Sequence, residues 1–132
     1  TRLKEELNMS ILMITHDLGV VAEFCDDVSV MYAGKIVEQA NVTSLFEMPR
    51  HPYTKGLLSS IPKIGVKHDH LPTIPGMVPA PDHRGQGCYF ADRCQYKSEI
   101  CTRKSPVPKS IPVQLPSGDA ALHLVSCWNS NE

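Results

Sequence analysis

Two sets of side chains in this sequence have the types and spacing to do chemistry. The first is Thr15-His16-Asp17, directly after the unbroken apolar run Ile11-Leu12-Met13-Ile14. Such a run, with β-branched members, suits a strand buried on both faces. In open α/β sheets ligands gather beyond the carboxyl ends of the strands, so an imidazole at that tip is well placed for polar chemistry. Taken alone, the same pattern also describes a buried strand followed by an Asp helix cap, and for a short motif that plainer reading is the commoner one. The second set is Cys88, Cys94, Cys101 and Cys127, spaced C-x5-C-x6-C-x25-C. Four thiolates can complete a tetrahedral metal site or hold a cluster. Free thiols or two disulfides are the alternatives, and the spacing is not the paired C-x2-C of a zinc ribbon.

The elements that must position these groups follow from local signals. Thr1–Asn8 reads as the end of an amphipathic helix, with Leu3 and Leu7 one turn apart and Asn8 suited to a left-handed cap. Its abrupt start suggests a piece of a longer chain. Ser10–Thr15 is the expected central strand. Asp17 can cap a helix whose buried face is Leu18, Val21, Ala22 and Cys25. Cys25 on that face reads as a small core residue. Val28–Tyr32 and Lys35–Gln39 are β-rich runs joined by Ala33-Gly34, a two-residue hairpin signal. Ser44-Leu45-Phe46-Glu47 has capping-box spacing. Pro52 suits a first helical position, and Tyr53, Leu57 and Ile61 recur at helical spacing up to Pro62. From Ile64 to about Gln86 the chain reads as an irregular linker. Its histidines, His68 and His70, are most simply solvated loop residues.

Composition sets the bounds. The 132 residues are 42% apolar and 20% charged, with a formal net charge of −1. That suits one modest globular domain and gives no case for nucleic-acid binding. No apolar run approaches the roughly 20 residues of a membrane span. Residues 1–48 carry eight acids and three bases, residues 49–132 six acids and ten bases, and all 11 prolines lie at Pro49 or beyond. The first part therefore reads as regular structure. The rest reads as an extension with much irregular backbone.

Ile14-Thr15-His16-Asp17-Leu18-Gly19-Val20-Val21-Ala22-Glu23 closely resembles the switch-histidine region of ATP-binding-cassette (ABC) ATPases. Val30-Met31-Tyr32-Ala33-Gly34-Lys35-Ile36-Val37-Glu38 resembles the hairpin that follows it. Pro49-Arg50-His51-Pro52-Tyr53-Thr54-Lys55-Gly56-Leu57-Leu58 resembles the ATPase subunits of oligopeptide and dipeptide importers. The resemblance implies an α/β fragment: the end of a P-loop NTPase nucleotide-binding core with a β-hairpin over residues 1–63, then a largely irregular cysteine-bearing extension over 64–132. It implies that His16 contacts the γ-phosphate of Mg²⁺-ATP and positions the attacking water. It implies a second ATPase subunit, identical or not, transmembrane permease subunits as partners, and a cytoplasmic place against the inner face of the membrane.

No G-x-x-x-x-G-K-[ST] loop occurs in these residues, and Lys35 in Ala-Gly-Lys-Ile lacks its context, so the chain alone is not expected to hydrolyse ATP. Gly87-Cys88-Tyr89-Phe90-Ala91-Asp92-Arg93-Cys94, with Cys101 and His123-Leu124-Val125-Ser126-Cys127, is similar to the C-terminal region of the same ATPases. Some of these carry a [4Fe-4S] cluster on the four matching cysteines. That implies Cys88, Cys94, Cys101 and Cys127 as cluster ligands, with zinc as the fallback. The proline-rich stretch Ser105–Ala121 departs from the family pattern. His123 reads as a packing or surface residue. Arg93, Arg103 and Lys104 are either counter-charges to a cluster or solvated cations. The alternative for the whole is a free-standing cysteine-rich metal-binding interaction module unrelated to ATP.

Overall fold

The computed structural model describes residues 6–61 and 73–130. Most of the expected helix Thr1–Asn8, together with Pro62, His68 and His70, lies outside them. The described helices are α1 (Leu18–Phe24), α2 (Val42–Glu47), α3 (Pro52–Ser59) and α4 (Glu99–Arg103). The strands are β1 (Asp27–Tyr32), β2 (Lys35–Asn41), β3 (Lys109–Gln114) and β4 (Ala120–Val125). They form one antiparallel sheet in the order β1-β2-β4-β3. No helix among the described residues is long and apolar enough to cross a membrane.

The β1–β2 hairpin forms where Ala33-Gly34 signalled it. Ala33 (φ 47°) and Gly34 (φ 80°) both take positive φ, the backbone of a two-residue turn whose twist matches the strands. Opposite Val30 and Met31 the register slips by one, because Val30 pairs Glu38 while Met31 pairs Ile36. Val37 is the extra residue of a β-bulge, and both it and Glu38 are turned inward. α3 starts at Pro52 as expected. α2 starts earlier than Ser44: Asn41 is its cap and accepts from the Thr43 N–H, while Ser44 is buried within the helix.

Two expectations are corrected. Ser10–Thr15 is not a strand, and Leu12 and Ile14 are 89% and 93% exposed. A strand needs neighbours for its backbone groups, and the four described strands pair only with one another. The extension is also less irregular than its prolines suggested, since β3 and β4 add to the same sheet as β1 and β2. Pro112 is tolerated because β3 is an edge strand, where a missing N–H can face away from the ladder.

The core joins both halves of the sequence. Val30, Tyr32, Val37, Ala40, Leu45 and Phe90 form one buried cluster, flanked by Tyr53, Leu57, Ile74, Cys88 and Cys94. Tyr32 packs edge-on against Tyr53 and Phe90, with ring centroids 4.7 and 5.1 Å away. Edge-to-face packing of this kind adds to simple area burial.

Candidate functional site

His16 keeps its local setting without the strand. The Thr15 hydroxyl accepts from the Asp17 N–H at 3.0 Å, and Asp17 Oδ1 accepts from the Gly19 and Val20 N–H groups at 2.9 and 3.1 Å. These bonds pin the residues on either side of His16 and start α1, whose buried residue is Val21. Of the other face positions expected to be buried, Leu18 and Cys25 are half-buried and Ala22 is exposed. The His16 side chain is exposed.

The four cysteines, 88, 94, 101 and 127, are brought together. All are free thiols, Cys101 buried and the others half-buried. Cys88 lies within electrostatic reach of Cys101, Cys127 and Cys94, and Cys127 within reach of Cys94 and Cys101. Burial, and then the neighbouring cysteines, push the Cys88, Cys94 and Cys127 thiols above the usual range. The push is opposed by a backbone N–H directed at each sulfur, from Phe90, Tyr96 and Asn129 respectively. Each donor is two residues beyond its cysteine. The Ser98 hydroxyl lies 3.3 Å from Cys101 Sγ. Three of the four sulfurs, those of Cys88, Cys94 and Cys127, thus have a backbone N–H in reach, the arrangement that stabilises a thiolate once something offsets its charge. As they stand, the described residues contain no group of three or more His, Cys, Asp or Glu side chains arranged to hold a metal ion.

Short backbone links set this geometry. The Cys88 N–H donates to the Cys101 carbonyl at 2.8 Å. Gly87 makes that approach feasible, because a Cβ there would sit 2.5 and 2.6 Å from the carbonyl oxygens of Cys101 and Thr102. Cys127 is returned to the others by its neighbours: Trp128 Nε1 donates to the Lys104 carbonyl and Asn129 Nδ2 to that of Tyr96. Arg93 does not face the thiols as a free counter-charge. It donates to the Ile74 and Pro75 carbonyls at 2.8 Å each and reaches over the Tyr32 ring. Arg103 pairs with Glu99 on α4.

A third constellation was not visible in the residue pattern. Glu38 and His123 are 1% and 0% exposed, and Glu38 Oε1 lies 2.6 Å from His123 Nε2. The same carboxylate accepts from the backbone N–H groups of Arg50 and His51 at 2.6 and 3.0 Å. Strict alternation from buried Val37 would turn Glu38 outward, and the bulge turns it inward. The one sequence signal pointing here is the His51-Pro52-Tyr53 stretch.

With this geometry in hand, comparison with known proteins is decisive. The family profile described as "Oligopeptide/dipeptide transporter, C-terminal region" matches residues 37–101. The "Probable peptide ABC transporter ATP-binding protein y4tR" of Sinorhizobium fredii is 47% identical over 131 residues, covering 98% of this chain and 37% of that protein.

The chain belongs to the peptide-transporter ATP-binding family.

Other family members agree. The oligopeptide transport ATP-binding protein OppD of Haemophilus influenzae is 50% identical over 99 residues, 75% of this chain and 31% of its own length. AppD of Bacillus subtilis, of the same description, is 52% identical over 102 residues, 77% of this chain and 31% of its own length. The chain therefore spans about a third of the length of these relatives. The family's profile takes in most of the hairpin's second strand, α2, α3 and three of the four cysteines.

Proposed function

We propose that this chain is part of the ATP-hydrolysing subunit that energises peptide import, of oligopeptides or dipeptides, by an ABC transporter. The observation that carries this reading is the 47% identity to y4tR across 98% of the chain, which takes in His16 and the thiols alike. That reach disfavours a free-standing metal module. In this reading His16 contacts the γ-phosphate of Mg²⁺-ATP and orients the attacking water, stabilising charge where it develops in the transition state. Its exposure, and the bonds that pin Thr15 and Asp17, suit a side chain that must meet a ligand at a fixed point. The partners are a second ATPase subunit and transmembrane permease subunits, at the cytoplasmic face of the membrane. In the full-length protein, His16→Ala should cut phosphate release severely while leaving ATP binding largely intact. Equal loss of binding and hydrolysis would assign His16 a merely structural role.

The thiols form the second part of the proposal. Cys88, Cys94, Cys101 and Cys127 hold a [4Fe-4S] cluster, with zinc as the second choice. The electrostatic influence that the four cysteines exert on one another and the N–H groups aimed at three of them support this reading. A bound cluster would supply folding energy to a segment of short elements. The chain's own part is to present the thiols and to soften their charge through the Phe90, Tyr96 and Asn129 N–H groups. Protein purified without oxygen should be brown and contain iron and sulfide. A colourless product with neither iron nor zinc, melting unchanged when all four cysteines become serine, would overturn the metal site.

A further inference from the structure

The start of α3 has assigned partners for most of its backbone donors. A helix normally leaves its first N–H groups without partners inside the helix. Here Pro52 has no N–H to satisfy, and the Tyr53 N–H donates to His51 Nδ1 at 3.1 Å. The two N–H groups just before the helix, those of Arg50 and His51, both end on Glu38, which lies on β2. His51 must be neutral and keep its proton on Nε2 for Nδ1 to accept, and burial of the ring favours the neutral form. Glu38 Oε1 also pairs with Nε2 of His123 on β4, 85 positions away in sequence.

We propose that Glu38 is a positioning residue whose carboxylate locks the β1–β2 hairpin, the His51-Pro52-Tyr53 helix start and strand β4 into one cooperative unit. Each residue of the three-residue stretch has its part. His51 supplies a cap acceptor and a backbone donor, Pro52 removes a donor, and Tyr53 places its ring on Tyr32 and Phe90. The direct pairing of β2 with β4 is short, joining Glu38 to Val125 and Gln39 to Leu124. A side-chain lock at that point therefore carries much of the connection. It also ties the hairpin to the strand that leads into Cys127, and it needs no metal at the thiols.

Nuclear magnetic resonance on the wild-type chain gives the first test. Long-range ¹H–¹⁵N spectra should show His123 protonated on Nε2, and His51 with a bare Nδ1. A His123 ring with no proton on Nε2 overturns the lock. Amide exchange gives the second. Glu38→Gln leaves three donors facing a side chain with a single acceptor oxygen. Exchange at the Arg50 and His51 amides should then rise by about tenfold or more, and with it exchange along β4. Should Glu38→Gln fail to fold, His123→Gln is the working variant, and it should raise exchange at the His51 amide although His123 does not touch it. Unchanged exchange at His51 in the folded variant refutes the proposal. His51→Asn, which keeps a cap acceptor, should preserve protection of the Tyr53 amide, and His51→Ala should lose it. Equal behaviour of these two variants would also refute it.

Discussion

The Thr15-His16-Asp17 turn and the Glu38 lock both present an imidazole next to a carboxylate, and they are built in opposite ways. The turn is held by bonds spanning two or three residues, and its surroundings are exposed. The lock joins residues 12, 13 and 85 positions apart in sequence, and its side chains are fully buried. Local bonds can preserve the shape of a motif without the sheet expected beside it. A buried carboxylate survives only if the whole fold delivers its donors, since an unpartnered charge in the interior costs several kcal/mol. Function that depends on meeting a ligand suits the first design. Cohesion suits the second.

Three experiments sharpen this contrast. Removing core volume beside the lock should have the largest effect. Leu45 is 1% exposed in the cluster that Tyr32 and Phe90 share, so Leu45→Ala should cost about 3 kcal/mol in chemical denaturation. A loss below about 1 kcal/mol would mean that this core is loosely packed.

Acid should act on the lock next. Burial lowers the His51 pKa from 6.5 to about 4. The unfolded chain therefore takes up a proton in a range where the folded chain does not. Stability should be complete above pH 6.5, fall as the pH drops from there, and level off below about pH 4, with a total loss of at most about 3 kcal/mol. Denaturation midpoints across that range test the sign, and His51→Asn should flatten the curve. A wild-type stability that rises on acidification through this window would contradict the buried neutral ring.

The smallest effect belongs to the turn. Asp17→Ala removes the acceptor for Gly19 and Val20 and should cost about 1 kcal/mol of local helix stability. Faster exchange at those two amides, with the denaturation midpoint nearly unmoved, is the expected outcome. A global loss as large as that of Leu45→Ala would erase the distinction between the two regions.

What could be read from the residues divides along the same line. Ala33-Gly34, Asp17 and Pro52 announce their elements through backbone chemistry confined to a few residues, and each element begins where it was expected. Ser10–Thr15 was misread because an apolar run says that a segment would gain by burial, not what would bury it. Ser44 was misread because Asn41, a better-placed acceptor, opens the helix three residues sooner. β3 was hidden by Pro112, a proline whose harm depends on strand order. Glu38 was hidden by a bulge, which inverts the parity on which strand reading rests. The gathering of Cys127 with the other thiols rests on Trp128 and Asn129 reaching carbonyls 24 and 33 positions earlier, a closure that no spacing rule contains.

Pro112 has a further consequence at the sheet's outer margin. It stands opposite Leu122, so its missing N–H is harmless only if that position would have pointed outward. Any foreign strand approaching β3 then meets a gap in the row of donors, and a growing ladder stalls there. Together with the charge of Lys109 at the start of the strand, this makes β3 a gatekeeper against edge-to-edge aggregation. The opposite margin, β1, carries no proline over Asp27–Tyr32 and so has no such gap in its row of donors.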